Sequence, residues 1–459
     1  MDYEKDRTID EIVNLIVDLL KEKKYIQARS ELLNINAVDV AEILRDVIDI
    51  LGIEIAVILF RTLPKDMSVE VFSYLNIEKQ IAIINVITEK EIHYIIEELA
   101  FDDMIDVLEE LPANIVDKVL ANSTKEKRKQ INTFLNYPEN SAGSLMTPDY
   151  ISLRKDMTVG EALAHIKREG MDSETVYTCY VKDVGRKLYG IVSLRTMVIS
   201  DDHVPIEDIL EKDFVSVNAL DDQEYVSNLF KRYGFLAIPV VDNENRLIGI
   251  ITVDDILDII DEETTEDFQK MAGLQASTEE YLYTSVLTHV KNRFPWLLFL
   301  MVSLMVTGLI ITHFEGLLSK VISLVSYLPL LMGTGGNSGS QSATLIIRGL
   351  ALGDIELKDS GKVLWKEIRV SFIIGLLLSI LNFAKIMILD GKGIFIAATV
   401  CLSMLIVIVM AKTIGGMLPM MAKKLNIDPA LMASPMIASL IDMITVITYF
   451  ILAMLILGI

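Results

Sequence analysis

The chain has 459 residues, 52 % of them hydrophobic, and a formal net charge of −22. The charge is uneven: residues 1–290 hold 29 Lys+Arg against 56 Asp+Glu, and the remainder holds 13 against 8. Such an acidic excess repels itself unless counter-ions screen it, and it excludes nucleic acid as a partner. Two cysteines, Cys179 and Cys401, exclude a disulfide framework and a thiolate metal site. The polar, helix-patterned N-terminus is not expected to carry a signal peptide.

Residues 8–135 show helical periodicity throughout, in short amphipathic stretches at 64–75, 77–87, 89–99, 101–111 and 112–121. Pro64 and Pro112 each follow a Leu and suit a first helical turn. The pattern predicts stacked helical hairpins, a small solenoid-like domain. Asp102, Asp103, Asp106, Glu109 and Glu110 cluster here. Asp102 and Asp106 are four apart and share a face, which fits either a metal-binding face or a solvated one.

Residues 138–260 repeat internally. The stretch from Ile151 matches that from Val215, and Leu-Tyr-Gly-Ile-Val-Ser from Leu188 matches Leu-Ile-Gly-Ile-Ile-Thr from Leu247. Each copy reads strand, helix, strand, turn, strand, helix, and the pair resembles a tandem CBS module. That resemblance implies regulation rather than catalysis, with adenine nucleotides or metals as ligands. No Walker loop is present. The helix that follows opens at Thr252. Asp255, Asp258, Glu262 and Glu266 fall in one stripe about 80° wide at 100° per residue, flanked by Glu263 and Asp267. Like charges four apart destabilise a helix by a few tenths of a kcal/mol each, and a bound divalent ion would reverse that repulsion.

Stretches of membrane-spanning length occur only in the C-terminal part, at 295–314, 317–336, 367–389, 394–421 and 430–458. Lysines and arginines collect before the first, after the second and between the last two. The positive-inside rule therefore predicts a cytoplasmic N-terminal region and, with five spans, an external C-terminus. Asp442 is the sole charged residue of the last stretch. A carboxylate at membrane depth costs at least ~2.5 kcal/mol, so it faces a partner or a water-filled path. Lys412 and Lys385 are the alternative partners. Lys412 lies about 27 Å from the outer end of its span at 1.5 Å per residue, near the inner interface and within snorkelling reach of it, which weakens its claim as the partner of Asp442.

From Leu328 the chain runs Leu-Pro-Leu-Leu-Met-Gly-Thr-Gly-Gly-Asn-Ser-Gly-Ser-Gln-Ser-Ala-Thr. The last span opens Asp428-Pro-Ala-Leu and continues Ser434-Pro-Met-Ile-Ala-Ser-Leu-Ile-Asp. With Tyr137-Pro-Glu-Asn-Ser-Ala-Gly-Ser-Leu-Met-Thr, these motifs resemble the MgtE family of magnesium channels over the whole chain. The resemblance implies a multi-domain membrane protein: an all-α N-terminal domain (1–136), an α/β tandem CBS pair (137–260), a connecting plug helix (261–290) and an α-helical transmembrane domain of five spans (291–459). It implies a homodimer in the lipid membrane with its pore at the subunit interface. The pore residues it implies are Asp442, Asn337, Gln341 and Thr344, with Ser434 and Ala438 at the inner gate. Mg2+ is then both permeant ion and regulator, held in the cytoplasm by Glu70, Asp102, Asp106, Glu224, Asp255, Asp258, Glu263, Glu266 and Asp267. ATP is a candidate ligand of the CBS pair. Some relatives carry Asn in place of Ser434 or Ser340, and some an acid in place of Gly234.

Two other readings fit the same sequence. One is a CBS-regulated secondary transporter or exporter of divalent cations. The other is a membrane-anchored nucleotide-sensing adaptor, which would tolerate loss of Asp442. An enzyme is not expected, because the five histidines are scattered without metal-ligand or triad spacing. Oxygen ligands alone leave the choice among Mg2+, Mn2+, Co2+ and Ca2+ open.

Overall fold

The computed structural model describes residues 8–171, 173–183, 185–277, 281, 284–432 and 434–458, without the side chains of Asn114, Lys118, Asn122 and Ser434. It divides into two compact units, one up to Ile259 and one from Ile260.

The first unit begins with ten short helices, from Ile9–Lys21 to Lys125–Phe134. Their starts are written locally. Thr8 and Thr88 accept a hydrogen bond from the backbone of Glu11 and Glu91, whose side chains cap back. From Ala37 onward each helix packs on the one two places along the chain: Ala37–Leu51 on Lys65–Ser73, then Glu89–Glu98, then Ala113–Asn122. This is the stacked-hairpin arrangement expected from the periodicity. Apolar faces such as Val57, Phe60, Phe72, Ile83 and Met104 close the space between the layers.

The repeat that follows folds as two matching three-stranded sheets. Tyr150–Arg154 runs parallel to Thr175–Lys182, which runs antiparallel to Leu188–Ser193. Val217–Asn218, Ala237–Val241 and Leu247–Thr252 repeat that order. Helices Val159–Glu169 and Gln223–Tyr233 occupy equivalent positions in the two copies.

The connecting helix is Val253–Met271, shorter at its C-terminal end than the expected element at 261–290. It stops where Gly273 takes φ +71°, a conformation that suits a residue without Cβ. A new helix starts at Val286.

Among the described residues of the second unit, four helices are long and apolar enough to cross a membrane: Val286–His313, Leu357–Ile388, Ile394–Lys424 and Pro429–Leu457. The expectation for 317–336 is corrected. That stretch is a short helix Glu315–Lys320 and a 3-10 turn Ile322–Tyr327, and the long helix is Leu328–Ala351. Its 24 residues reach about 36 Å at 1.5 Å each. Glycine, serine, threonine and asparagine make it too polar to stand out by hydropathy. It packs against Ile394–Lys424 and Ser434–Leu457, and Tyr449 Oη fastens the base of the bundle by donating to the Leu324 carbonyl at 3.1 Å.

Candidate ion path and acidic sensor

The helix Leu328–Ala351 has two contrasting faces. Gly335, Gly336, Ser338, Gly339, Ser342 and Ala343 are buried. A Cβ on Gly335 would meet Ile441 and Thr445, and one on Gly336 would meet the Ala438 Cβ at 3.4 Å. Small residues therefore let this helix lie against the last span at close range. The adjoining face, Asn337, Gln341 and Thr344, is exposed within the single chain. Ala438 and Asp442 are one turn apart on the facing helix and both half-buried. Polar groups left uncovered at membrane depth need water or a second protein surface. Ser434 heads the last helix, but its side chain lies outside the described residues.

The lysines weighed as partners of Asp442 are engaged elsewhere. Lys385 pairs with Asp390 at 2.6 Å. Lys412 is 5 % exposed and donates to Gln341 Oε1 and Ser342 Oγ, each at 3.4 Å. Lys412 therefore does not snorkel: its side chain turns into the helix junction, toward the oxygens of Gln341 and Ser342. Glu367, which sequence reasoning passed over, completes the junction by accepting from Ser342 Oγ at 2.6 Å.

Among the expected regulatory acids, the fold brings Asp102 and Asp255 together, although 153 positions separate them in sequence. Asp103, Asp254 and Glu174 join them. Burial, and then the neighbouring carboxylates, push Asp102 up to about 8, Glu174 to about 7 and Asp103 to about 6. Asp255 rises to about 6 from burial, against the pull of a hydrogen bond from Thr252 Oγ1 at 2.7 Å. Carboxylates so crowded favour a proton or a cation between them. Asp106 is exposed although Asp102 is buried, so the shared face splits at the domain surface. Glu70, Glu224 and Asp258 are also exposed. No three His, Cys, Asp or Glu side chains among the described residues converge tightly enough to cage a metal.

In the second unit, Glu263, Glu266 and Asp267 lie half-buried along the end of the connecting helix. Lys270 bridges Glu266 at 2.7 Å and Asp428, at the mouth of the last span, at 2.8 Å. Burial alone would lower the Lys270 pKa, but the bonds to Asp428 and Glu266 outweigh it and raise it. Asp267 is raised by burial and by Asp428. Neither the Lys270 bridge nor Glu174 stands out in sequence, since each pairing forms only in the fold.

The CBS pair carries a cleft of about 690 Å3 lined by Tyr177, Thr178, Ser193, Arg195, Asp213 and Phe235 among others. Tyr233 stacks on Phe235 at 5.2 Å with planes 21° apart. Aromatic faces, hydroxyls, a guanidinium and a carboxylate are the groups that hold a base, a phosphate and a sugar.

Comparison with known proteins covers nearly every segment. Residues 328–452 match the family described as MgtE, divalent cation transporter. Residues 35–140 match the MgtE intracellular N domain, and 142–200 and 206–262 each match a CBS domain. The chain is 36 % identical over 400 residues to the magnesium transporter MgtE of Thermus thermophilus, covering 86 % of this chain and 88 % of that one. It is 29 % identical over 459 residues to the magnesium transporter MgtE of Bacillus subtilis, covering 97 % of each. The crystal structure of the cytosolic domain of the Mg2+ channel MgtE in complex with ATP aligns at TM-score 0.50 and 33 % identity, over 54 % of this chain and 99 % of that one.

Proposed function

We propose that this chain, which belongs to the MgtE family of magnesium transporters, is a Mg2+-selective channel closed from the cytosol by its own permeant ion. The observation that carries the reading is the exposed polar face Asn337–Gln341–Thr344 beside the half-buried Asp442. Leu328–Ala351 serves as a fifth span, and a homodimer covers the polar face with its copy. The first unit then lies in the cytoplasm and the C-terminus outside. Mg2+ dehydrates reluctantly and is held through one or two carboxylates with most of its waters retained. Two copies of Asp442 suit such an ion, and the Asn337 amide and the Thr344 hydroxyl suit its water shell. Ala438 lines the inner narrowing.

Gating follows from the crowded acids. Mg2+ between Asp102 and Asp255, with Glu174 and Asp103 beside them, replaces repulsion by attraction and draws the N-terminal domain onto the CBS pair. Glu70, Asp106, Glu224 and Asp258 supply outer contacts through water. Glu263, Glu266 and Asp267 bind at the pore end of the connecting helix. The ion closes the channel because it binds the compact state better than the open one. ATP in the CBS cleft, with its base by Tyr177 and Phe235 and its ribose on Asp213, stabilises the same compact state.

The test is Asp442→Asn in cells that lack other Mg2+ importers. The account predicts loss of Mg2+ uptake with normal membrane assembly. Wild-type uptake by this variant would remove Asp442 from the ion path.

A further inference from the structure

The three-helix junction around Lys412 has no place in the function argued so far. A lysine ammonium buried to 5 % exposure inside a membrane unit is costly unless its donors are met. Here two of its three donors are met, in a chain that crosses three helices. Lys412 Nζ donates to Gln341 Oε1 and to Ser342 Oγ, and Ser342 Oγ donates onward to Glu367 Oε2. The sequence makes room for this chain of contacts with glycine. A Cβ on Gly415 would meet the Gly339 carbonyl oxygen at 2.2 Å, so the two backbones touch beside Lys412. A Cβ on Gly416 would meet the Glu367 side chain at 3.1 Å, so that glycine admits the carboxylate.

An ammonium has donors only, whereas an amide has a donor end and an acceptor end. Lys412 therefore fixes which end of Gln341 turns inward: the oxygen is held at the junction. Glu367 supplies the opposite charge through the Ser342 hydroxyl, so the site as a whole is neutral. We propose that Lys412 is a positioning residue for ion discrimination, which withholds the Gln341 carbonyl oxygen from the ion path. This rests on Gln341 facing that path. A bare carbonyl oxygen is the ligand that a dehydrating cation such as K+ or Na+ requires in place of water. Hydrated Mg2+ does not require it, because it keeps its own shell and answers to the carboxylate of Asp442. Holding the oxygen back costs Mg2+ little and costs the monovalent ions their entry.

The experiment measures Mg2+ and Na+ currents through the purified full-length channel in a planar bilayer at low cytosolic Mg2+, together with its melting temperature. Lys412→Met is expected to lower the Mg2+-over-Na+ permeability ratio about tenfold, as for loss of one charge-assisted hydrogen bond, mainly by raising Na+ entry. Lys412→Arg, which keeps a donor-only cation, is expected to retain most of the ratio. Ser342→Ala keeps all three helices and both charges, and is expected to give an intermediate ratio; it carries the test if Lys412→Met does not assemble. Unchanged ratios in Lys412→Met, or in Ser342→Ala where Met does not assemble, would overturn the proposal. So would a fall in melting temperature with selectivity intact. Absence of Mg2+ current in the unmodified protein would instead overturn the channel reading itself.

Discussion

Gly415→Ala should damage the membrane unit out of proportion to one methyl group. The new Cβ would stand 2.2 Å from the Gly339 oxygen, 2.9 Å from its carbonyl carbon and 3.0 Å from its Cα. All three atoms are backbone, so no side chain can rotate out of the way. The helices Leu328–Ala351 and Ile394–Lys424 must part by roughly 1 Å to restore ordinary contact. Overpacking of this kind costs about 1–3 kcal/mol, and a rigid obstacle belongs at the upper end. Helix propensity acts the other way, since Ala is favoured over Gly by about 1 kcal/mol. A net loss of about 2 kcal/mol lowers the melting temperature of a unit this size by about 4–8 °C. Parting the helices also breaks the 3.4 Å contacts of Lys412 with Gln341 and Ser342, so Mg2+ discrimination should fall with stability. Gly361→Ala is the control, because nothing lies within 4 Å of its Cβ. The assay is thermal unfolding of the detergent-purified protein with Mg2+ uptake measured in parallel. Melting within a degree of the unmodified protein, with uptake unchanged, would refute the close approach of the two backbones.

Removing residues 1–136 should leave conduction and weaken closure by Mg2+, read as a shift of the inhibitory concentration to higher values; an unshifted concentration would take the N-terminal domain out of the sensor. Millimolar Mg2+ should slow proteolysis near 122–140, since an ion bound only to the compact form at 100 times its dissociation constant adds ~2.7 kcal/mol. Asp102→Asn with Asp255→Asn should remove that protection, and an equal effect from NaCl at the same ionic strength would reject specific sites in favour of screening. Arg61 grips Glu91 through Nε at 2.7 Å and Nη2 at 3.0 Å, and that hydrogen-bonded pair holds the Glu91 carboxyl down to about 2. A depressed carboxyl stabilises above its ordinary value near 4.5 and loses that contribution as pH falls toward 2. Hydrogen-exchange protection, taken relative to the intrinsic amide rate at each pH, should therefore fall in Ile53–Thr62 and Glu89–Glu98 over that window. Arg61→Gln should weaken the pH dependence, leaving the part that the Thr88 hydrogen bonds supply, at a neutral-pH cost of about 1 kcal/mol or less for so exposed a pair.

The repeat was legible in the sequence because its signals are local. Short apolar runs such as Ala237–Val241 set the strands, and the turn residues Asp183 and Asp242 cap equivalent loops, each accepting backbone hydrogen bonds through Oδ1. The stacked hairpins were legible for the same reason, from short amphipathic periods and prolines at helix starts. The helix Leu328–Ala351 was displaced because hydropathy follows the apolar run at 317–332, whereas helix length and close packing follow the glycines after it. Lys412 was misjudged because depth along a helix says where a lysine can reach, not which oxygens a neighbouring helix offers. Asp442 stood out as the one charge in an apolar stretch, whereas Asn337 and Gln341 came through the family resemblance. Spacing marked the acidic clusters that hold Asp102 and Asp255 but not their meeting, and Glu174, Glu367 and Lys270 act through partners that only the fold supplies.

The most direct test of the channel account is a patch recording from the purified protein as cytosolic Mg2+ is stepped from micromolar to tens of millimolar. The account predicts unitary Mg2+ current steps at the low concentration and loss of open probability, with unchanged step size, at the high one. Mg2+ flux without unitary steps, or open probability indifferent to cytosolic Mg2+, would contradict it.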